Sequence, residues 1–379
     1  MKSGWVTKKL GEVCESMPTR DCQIQQNEIC KTGRFPVVSQ SENFIEGYTD
    51  FEKAVAVFPI VLFGDHTCCV KYIDFPFVVG ADGTKLLWTA CEDVKYLYYA
   101  VLDASTSLMD GKYRRHFKDL KKIEMPFPPL TEQKRIVKKI DAAFEKIDAL
   151  KANAEKNLAN AKELFQSVLD EAMRPKKGWV EKRLGEVGEY RKGPFGSSLT
   201  KRMFVPKGPT TIKVYEQKNA IRKSATLGEY YITQEYFNEK MRGFEVLPGD
   251  VIVSCAGTIG ETFIMPENIE RGIINQALMR MRLSALIDKS YFLYYFDHIL
   301  KKSANELSNG SAMKNIPPFS VFKQLAIPVP SLPGQREIVK RLDILSEKIR
   351  LLDQNYTKQI ADCAEMKQAI LKEAFVGNI

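Results

Sequence analysis

Two stretches of this chain place apolar residues at alternating steps of mostly three and four over about 40 positions, the spacing of one buried face of a long helix. In the first, Ile136, Ile140, Ala143, Ile147, Leu150, Ala154, Leu158, Ala161, Phe165, Val168 and Ala172 hold the apolar frame. In the second, Ile338, Leu342, Leu345, Ile349, Leu352, Tyr356, Ile360, Cys363, Ile370 and Ala374 hold it. Neither frame is broken by glycine or proline. About 40 helical residues span roughly 60 Å, and a helix of that length with one apolar stripe needs a partner. Connectivity supplies one. The first helix carries the chain from one globular part to another, and the second leaves that part, so the pair is expected to lie antiparallel as a coiled coil. The alternative is that each helix packs on its own globular part. Leu150-Ala154-Leu158 and Leu352-Tyr356-Ile360 share a double step of four, a stutter that locally unwinds a supercoil. Pro126 to Pro129 precede the first helix and Thr131 is its expected N-cap; Pro333 falls near the start of the second.

The remaining sequence alternates differently. Phe35-Pro36-Val37-Val38, Ala54 to Phe58, Ile60 to Phe63 and Phe75 to Val79 are short β-branched or aromatic runs bounded by turn residues, and predict strands. Val94 to Leu102 and Tyr291 to Leu300 predict helices. Val251 to Ser254 followed by Gly257-Thr258-Ile259-Gly260 predicts a strand and hairpin turn; this G-x-x-G lacks the lysine and strand-loop-helix context of a phosphate loop. The expected class is α+β: two mixed, mainly β heads separated by two long helices.

The chain also repeats itself. Gly4 to Val13 returns as Gly178 to Val187, and Pro126 to Met173 returns without a gap as Pro328 to Phe375, with 20 of 48 positions identical. The second offset exceeds the first by 28 residues, so the second head is longer. Two copies of one plan in a single chain define an internal pseudo-dimer with approximate two-fold symmetry. The expected boundaries are 1–125 and 176–327 for the heads, and 126–175 and 328–379 for the helices.

Composition narrows the class. At 379 residues and 44% hydrophobic content the chain fills real cores. No apolar run reaches the length of a membrane span and no leader-like stretch opens the chain, so a cytoplasmic location is expected. Eight scattered cysteines without a C-x-x-C pair fit a reducing compartment. His66-Thr67-Cys68-Cys69 is the one cluster worth weighing as a metal site; a strand-end cluster is the simpler reading, and no metal is expected.

The net charge of +9 is unevenly placed: −1 over residues 1–130, +8 over 176–330, and nearly balanced in the helices. In the second head, basic residues gather in Arg191 to Arg202 and continue to Lys207, Lys213, Lys218, Arg222 and Lys223. Glycine, serine and lysine together make a loop that can approach a phosphate backbone. The first head has a local run, Lys112 to Lys118, and Lys314 corresponds to Lys112. Candidate residues for such contacts are Lys112, Arg114 and Arg115 in the first head, and Lys192, Ser197, Ser198, Lys201 and Lys314 in the second. A solvated surface loop is the bland alternative for each. The sequence lacks a Walker loop, a cofactor-type glycine loop and Ser-His-Asp or His-Glu-x-x-His patterns. Asn315-Ile316-Pro317-Pro318-Phe319 resembles an adenine-methyltransferase tetrapeptide, but the inserted isoleucine breaks its geometry. The reading is a binding protein without catalytic residues of its own.

These residues resemble the specificity subunits of type I restriction-modification systems. The likeness rests on Pro-x-Pro-x-Leu-x-x-Gln-x-x-Ile-Val at Pro126 and Pro328, and on Trp-x-x-x-x-Leu-Gly-Glu-Val at Trp5 and Trp179, across essentially the whole chain. Pro333-Gly334 departs from Thr131-Glu132 of the first copy. The resemblance implies two target-recognition domains, each reading one half of a split double-stranded DNA site, and makes Lys112, Arg114, Arg115, Lys192, Ser197, Ser198, Lys201 and Lys314 candidate DNA-binding residues. It also implies two methyltransferase subunits bringing S-adenosylmethionine, and restriction subunits using ATP and Mg, with no cofactor in this subunit. On that reading the helices space the heads and meet partners, through Gln133, Ile136, Ile140 and Ile147 and through Gln335, Ile338, Leu342 and Ile349. The rival classes are a self-contained methyltransferase or nuclease, and a coiled-coil scaffold without a DNA role.

Overall fold

The structure is a computed structural model and describes residues 4–80, 82–109, 114–306 and 319–379. It resolves into two compact units, one of residues 1–157 with 354–379 and one of residues 158–353.

In unit 1 the chain runs through β1 (Val6–Lys9), α1 (Leu10–Val13), β2 (Glu15–Met17), β3 (Phe35–Val38), β4 (Gly47–Thr49), β5 (Ile60–Gly64), β6 (Val70–Ile73), β7 (Val78–Val79), β8 (Thr84–Trp88), α2 (Val94–Thr106), α3 (Phe117–Leu120), β9 (Glu124–Phe127) and into α4 (Leu130–Ala172). One sheet has the order β2-β8-β5-β6 and a second β4-β3-β7, with β3 and β7 parallel. The central strand β5 is buried throughout because its two faces serve different cores. Val61 and Phe63 pack toward α2 and α4, and Ile60 and Leu62 pack toward the second sheet, as a period of two requires. Strands β1 and β9 pair antiparallel, tying the start of the head to the residues just before α4.

Unit 2 repeats this order with β10 (Val180–Arg183), α5 (Leu184–Val187), β11 (Gly188–Lys192), β12 (Thr211–Tyr215), α6 (Gln217–Ile221), β13 (Tyr231–Thr233), α7 (Gln234–Tyr236), β14 (Glu245–Val246), β15 (Val251–Ser254), β16 (Thr262–Ile264), β17 (Gly272–Ile274), β18 (Leu278–Leu283), α8 (Lys289–Glu306), α9 (Phe319–Phe322), β19 (Ala326–Val329) and α10 (Leu332–Phe375). Its sheet β11-β18-β15-β16 matches β2-β8-β5-β6 strand for strand, and its sheet β13-β12-β17-β14 matches β4-β3-β7, parallel pair included, with β14 added at the edge. Most of the extra length of the second head enters between β12 and β13, where α6 lies, between β13 and β15, where α7 and β14 lie, and from α8 onward, so the shared framework is undisturbed.

Within unit 1, Lys367 of α10 pairs with Asp148 of α4 at 2.6 Å, and Arg135 donates to the Ile379 carbonyl at 2.6 Å. Rising numbers on α4 therefore meet falling numbers on α10, and the helix portions run antiparallel. Within unit 2, Lys162 pairs with Asp353 at 3.0 Å, and Leu342 packs with Leu169 and Met173. The helix portions also pack on the heads. Ile136, Ile140, Leu371 and Phe375 belong to the main core of unit 1. The residues one repeat away, Ile338, Leu342, Leu169 and Met173, occupy the same roles in unit 2. Helix-to-helix and helix-to-head packing thus coexist.

Several sequence expectations are corrected. Ala54 to Phe58 is not a strand: only Val55 bridges to Phe77, and Val57 and Phe58 are exposed. The Phe75 to Val79 run contributes only Val78–Val79. Thr131 lies inside α4 rather than capping it, the first-turn N–H groups of Glu132 and Gln133 donating to the Pro129 carbonyl. In α10 the cap is Ser331, whose hydroxyl accepts from Gly334 N at 3.4 Å. The Gly257 to Gly260 segment is the expected hairpin turn between antiparallel β15 and β16.

Candidate nucleic-acid interface

The basic loop of the second head follows β11. Gly193 is pressed against the β17–β18 turn so closely that a Cβ would meet the Asn275 carbonyl oxygen at 1.8 Å, and its N–H donates to Leu278 O at 2.9 Å. Only glycine fits there. Pro194 is buried, Ser198 N donates to Phe195 O at 2.8 Å, and Tyr236 OH donates to Ser198 O at 2.6 Å. Leu199, 3% exposed, plugs the core formed with Ile212 and Phe237. The loop is therefore held at both ends with its tip outward, bordering a cleft of about 580 Å³ lined by Arg191, Lys192, Phe195, Phe244, Gln276 and Lys323.

Ion pairing sorts the cations. Lys207 and Lys213 share Glu270, at 2.8 and 3.4 Å, Lys218 pairs with Glu216 at 2.8 Å, and Lys223 pairs with Glu261 at 2.8 Å. The hydrogen bond from Lys207 holds the Glu270 carboxyl below the usual carboxylate range. Lys213 is also buried, its ammonium donating to the Ala225 and Thr226 carbonyls, so it organises a loop. By contrast Arg191, Lys192, Lys201 and Arg202 are exposed, and among the described residues none of them has a carboxylate partner. Arg191 lies over the Phe244 ring at 4.9 Å, which fixes the guanidinium at the cleft. Lys192 lies near Cys255, whose thiol burial pushes up to about 11 while the lysine charge opposes that rise. Of the sequence candidates, Lys192, Ser197, Ser198 and Lys201 fall in or beside this one loop; Lys314 lies outside the described residues.

In the first head the expected basic run is weaker than its composition. Arg114 is bound to Asp119 at 2.6 Å and holds that carboxyl below its usual range; Lys122 pairs with the same carboxylate at 3.0 Å. Arg115 is exposed, and Lys112 lies outside the described residues, as does the Asn315-to-Pro318 stretch. What the sequence missed is an amide-rich cleft of about 480 Å³, bordered by Gln23, Gln25, Gln26, Glu46, His66 and Asp82, with two carboxylates and no lysine or arginine in its lining. It lies between the β2–β3 connection and the β7–β8 turn. The loop and turn beside the second-head cleft, at Gly193 to Gly196 and Gln276, follow the equivalent strands. Gln23 Nε2 donates to Asp82 Oδ1 at 2.7 Å and Gln40 Nε2 to Asp82 O at 2.6 Å, bracing the walls, while Gln25 and Gln26 are exposed. Burial lowers the pKa of the Lys71 ammonium below this cleft, and it donates to Ser39 O at 2.8 Å. The available signal was the glutamine-rich Gln23 to Gln26 segment, which charge counting overlooks. Among the described residues no His, Cys, Asp and Glu group is arranged to hold a metal.

The helix residues expected at partner contacts are placed differently. Gln133 and Gln335 are both 0% exposed and cannot touch a partner. Gln133 accepts from Asp93 N at 2.9 Å and donates to Glu92 Oε2 at 2.6 Å and Pro128 O at 2.8 Å. Gln335 accepts from Asp288 N at 2.7 Å and donates to Leu286 O at 3.0 Å and Pro330 O at 2.9 Å. Asp93 and Asp288 in turn cap α2 and α8, and Tyr96 and Tyr291 each donate at 2.7 Å to the carbonyl of the proline two residues before the helix-start pair, Pro126 and Pro328. Tyr99 donates to Asp141 and Tyr294 to Asp343. An Asp-x-x-Tyr-x-x-Tyr repeat, at Asp93 and Asp288, therefore joins the motifs that the chain duplicates. Ile136, Ile140, Ile147 and Leu342 are buried, and only Ile338 and Ile349 keep partial exposure.

Each of the two heads is thus stapled to helix portions through a duplicated joint. Residues 2–160 and 176–360 match the family described as type I restriction modification DNA specificity domain, and the chain belongs to that family. It is 24% identical over 378 residues to the EcoR124I/EcoR124II type I restriction enzyme specificity subunit of Escherichia coli, covering 95% of this chain and 90% of that one. In fold it is similar to a chain from a structure concerning complex assembly and conformational transition of the type I R-M system, with TM-score 0.73 and 20% identity, covering 100% and 99%. It is also similar to the HsdS subunit of Thermoanaerobacter tengcongensis, with TM-score 0.55 and 21% identity, covering 100% and 98%. The family's role is DNA recognition and is non-catalytic. No helix among the described residues is long and apolar enough to cross a membrane.

Proposed function

We propose that the chain is the specificity subunit of a cytoplasmic type I restriction-modification complex and reads a bipartite, asymmetric DNA site. Each target-recognition domain, residues 1–125 and 176–327, takes one half-site, and the helices of 126–175 and 328–379 fix the number of unread base pairs between them. Two methyltransferase subunits supply S-adenosylmethionine chemistry, and restriction subunits supply ATP- and Mg-dependent chemistry. Two heads of related topology with different faces carry this reading: the cleft of one is amide-rich, with Glu46 and Asp82 and no lysine or arginine, and that of the other is cationic, so their half-sites differ in sequence. Exposed amides suit base edges, and unpaired lysines and arginines suit phosphates. Arg115, Lys192, Ser197, Ser198 and Lys201, with Gln25 and Gln26, are the contacts this reading selects. Mapping of adenine methylation in the source cell tests it: a split motif should be present and vanish on deletion of this gene. Methyl transfer by the purified chain alone would replace it with the self-contained enzyme reading.

A further inference from the structure

We propose that Phe195 is an apolar wedge that enters the base stack of the half-site read by the second head; the inference rests on the DNA-reading role above. Phe195 is 86% exposed, the highest value among the large apolar side chains of the described residues. A phenyl ring left in water on a loose loop would be unremarkable. This loop is not loose. Gly193 is locked against Asn275, Pro194 is buried, and Ser198 and Leu199 are fastened behind the tip, so the ring is held outward by its supports. At Gly196 an added Cβ would meet nothing within 4 Å, leaving the tip open for close approach.

The surroundings select the partner. Arg191 and Lys192 precede the ring, and Lys201 and Arg202 follow it, all exposed and without carboxylate partners among the described residues. A protein-docking anchor sits in a contiguous apolar patch with charge depleted at its centre. Phe195 stands instead among cations: of the other rings at its cleft Tyr190 is buried and Phe244 lies under Arg191, and Lys192, Gln276 and Lys323 complete the lining. Cations that seat on phosphates beside an apolar side chain that parts a base step are the chemistry of duplex deformation. Unstacking favours flexible pyrimidine–purine steps, so the second half-site should contain one at the wedge position. The first head differs: Phe44, 47% exposed, leans edge-on against Phe75 at 6.1 Å instead of standing free.

The test uses the native complex purified with the full chain and a duplex carrying its mapped site, with 2-aminopurine replacing each purine of the second half-site in turn. The wild-type complex should raise fluorescence at one step other than the methylated adenine. Phe195→Ala should abolish that rise and weaken specific binding roughly tenfold to a hundredfold, with an unchanged salt slope. Phe195→Leu, which keeps an apolar wedge, should retain most of the signal. Because the ring makes no buried contact, Phe195→Ala should leave the circular dichroism spectrum and melting temperature unchanged. A fluorescence rise that survives Phe195→Ala overturns the inference, as does equal weakening on random DNA. So does a variant that loses a co-purifying protein subunit while binding DNA normally. A wild-type complex that prefers no split site overturns the DNA-reading role itself, and this inference with it.

Discussion

Replacing Gln133 by methionine tests the joint on which each head depends. Methionine has nearly the same length and volume, so packing is preserved while three buried hydrogen bonds are removed. Asp93 N and Pro128 O then lose partners in a site from which water is excluded. Leaving such a group unsatisfied costs about 1–3 kcal/mol. Glu92 loses less, since Lys8 still pairs with it at 2.5 Å. The expected loss is about 3–5 kcal/mol, a large share of the stability of an ordinary domain. Guanidinium unfolding followed by tryptophan fluorescence measures it. Trp5 and Trp88 lie in unit 1 and Trp179 in unit 2, so a Trp179→Phe background reports unit 1 alone. Gln335→Met, read through Trp179 alone, should destabilise unit 2 by a similar amount. A loss below about 1 kcal/mol at either position, with an unchanged denaturant slope, would refute the account of the glutamine as the structural centre of the joint.

Other outcomes follow from the charge arrangement and the helices. Lys201→Ala should weaken DNA binding across sequences and lower the salt slope by about one, whereas Lys207→Ala, already neutralised by Glu270, should lower it by much less; equal slopes in titrations at several salt concentrations would reject the sorting. Glu270 has a folded-state pKa below its unfolded value, so its contribution to stability is present above about pH 4.5 and is lost as pH falls through the lower folded value. Stability of Glu270→Gln should accordingly fall less than wild type across that acid window in pH-dependent unfolding; parallel curves would contradict the assignment. Inserting one heptad into both α4 and α10 should lengthen the spacer of the methylated motif, and an unaltered spacer in the methylation map would remove the helices as its determinant.

The long helices were legible because periodicity is a local signal: apolar steps of three and four need no knowledge of what they touch. The repeated neck motifs were legible for the same reason, and they carried the family. The joint was half visible, since the glutamines stood in the repeated pattern, but burial alone distinguishes an amide that closes a joint from one that meets a partner. Charge counting located the second head without locating its interface. Whether a lysine is available to phosphate depends on carboxylates far along the chain, as Lys223 with Glu261 and Lys213 with Glu270 show. The common topology of the heads was hidden because strands of three to five residues can exchange one β-branched or aromatic residue for another and keep their pairing. The chain itself thus determined two long amphipathic helices, a duplicated plan and a basic second half. Tertiary structure decided which cations stay free, which glutamines are spent inside, and that the Phe195 ring is held out in water, because each depends on contacts between residues that sequence order keeps apart.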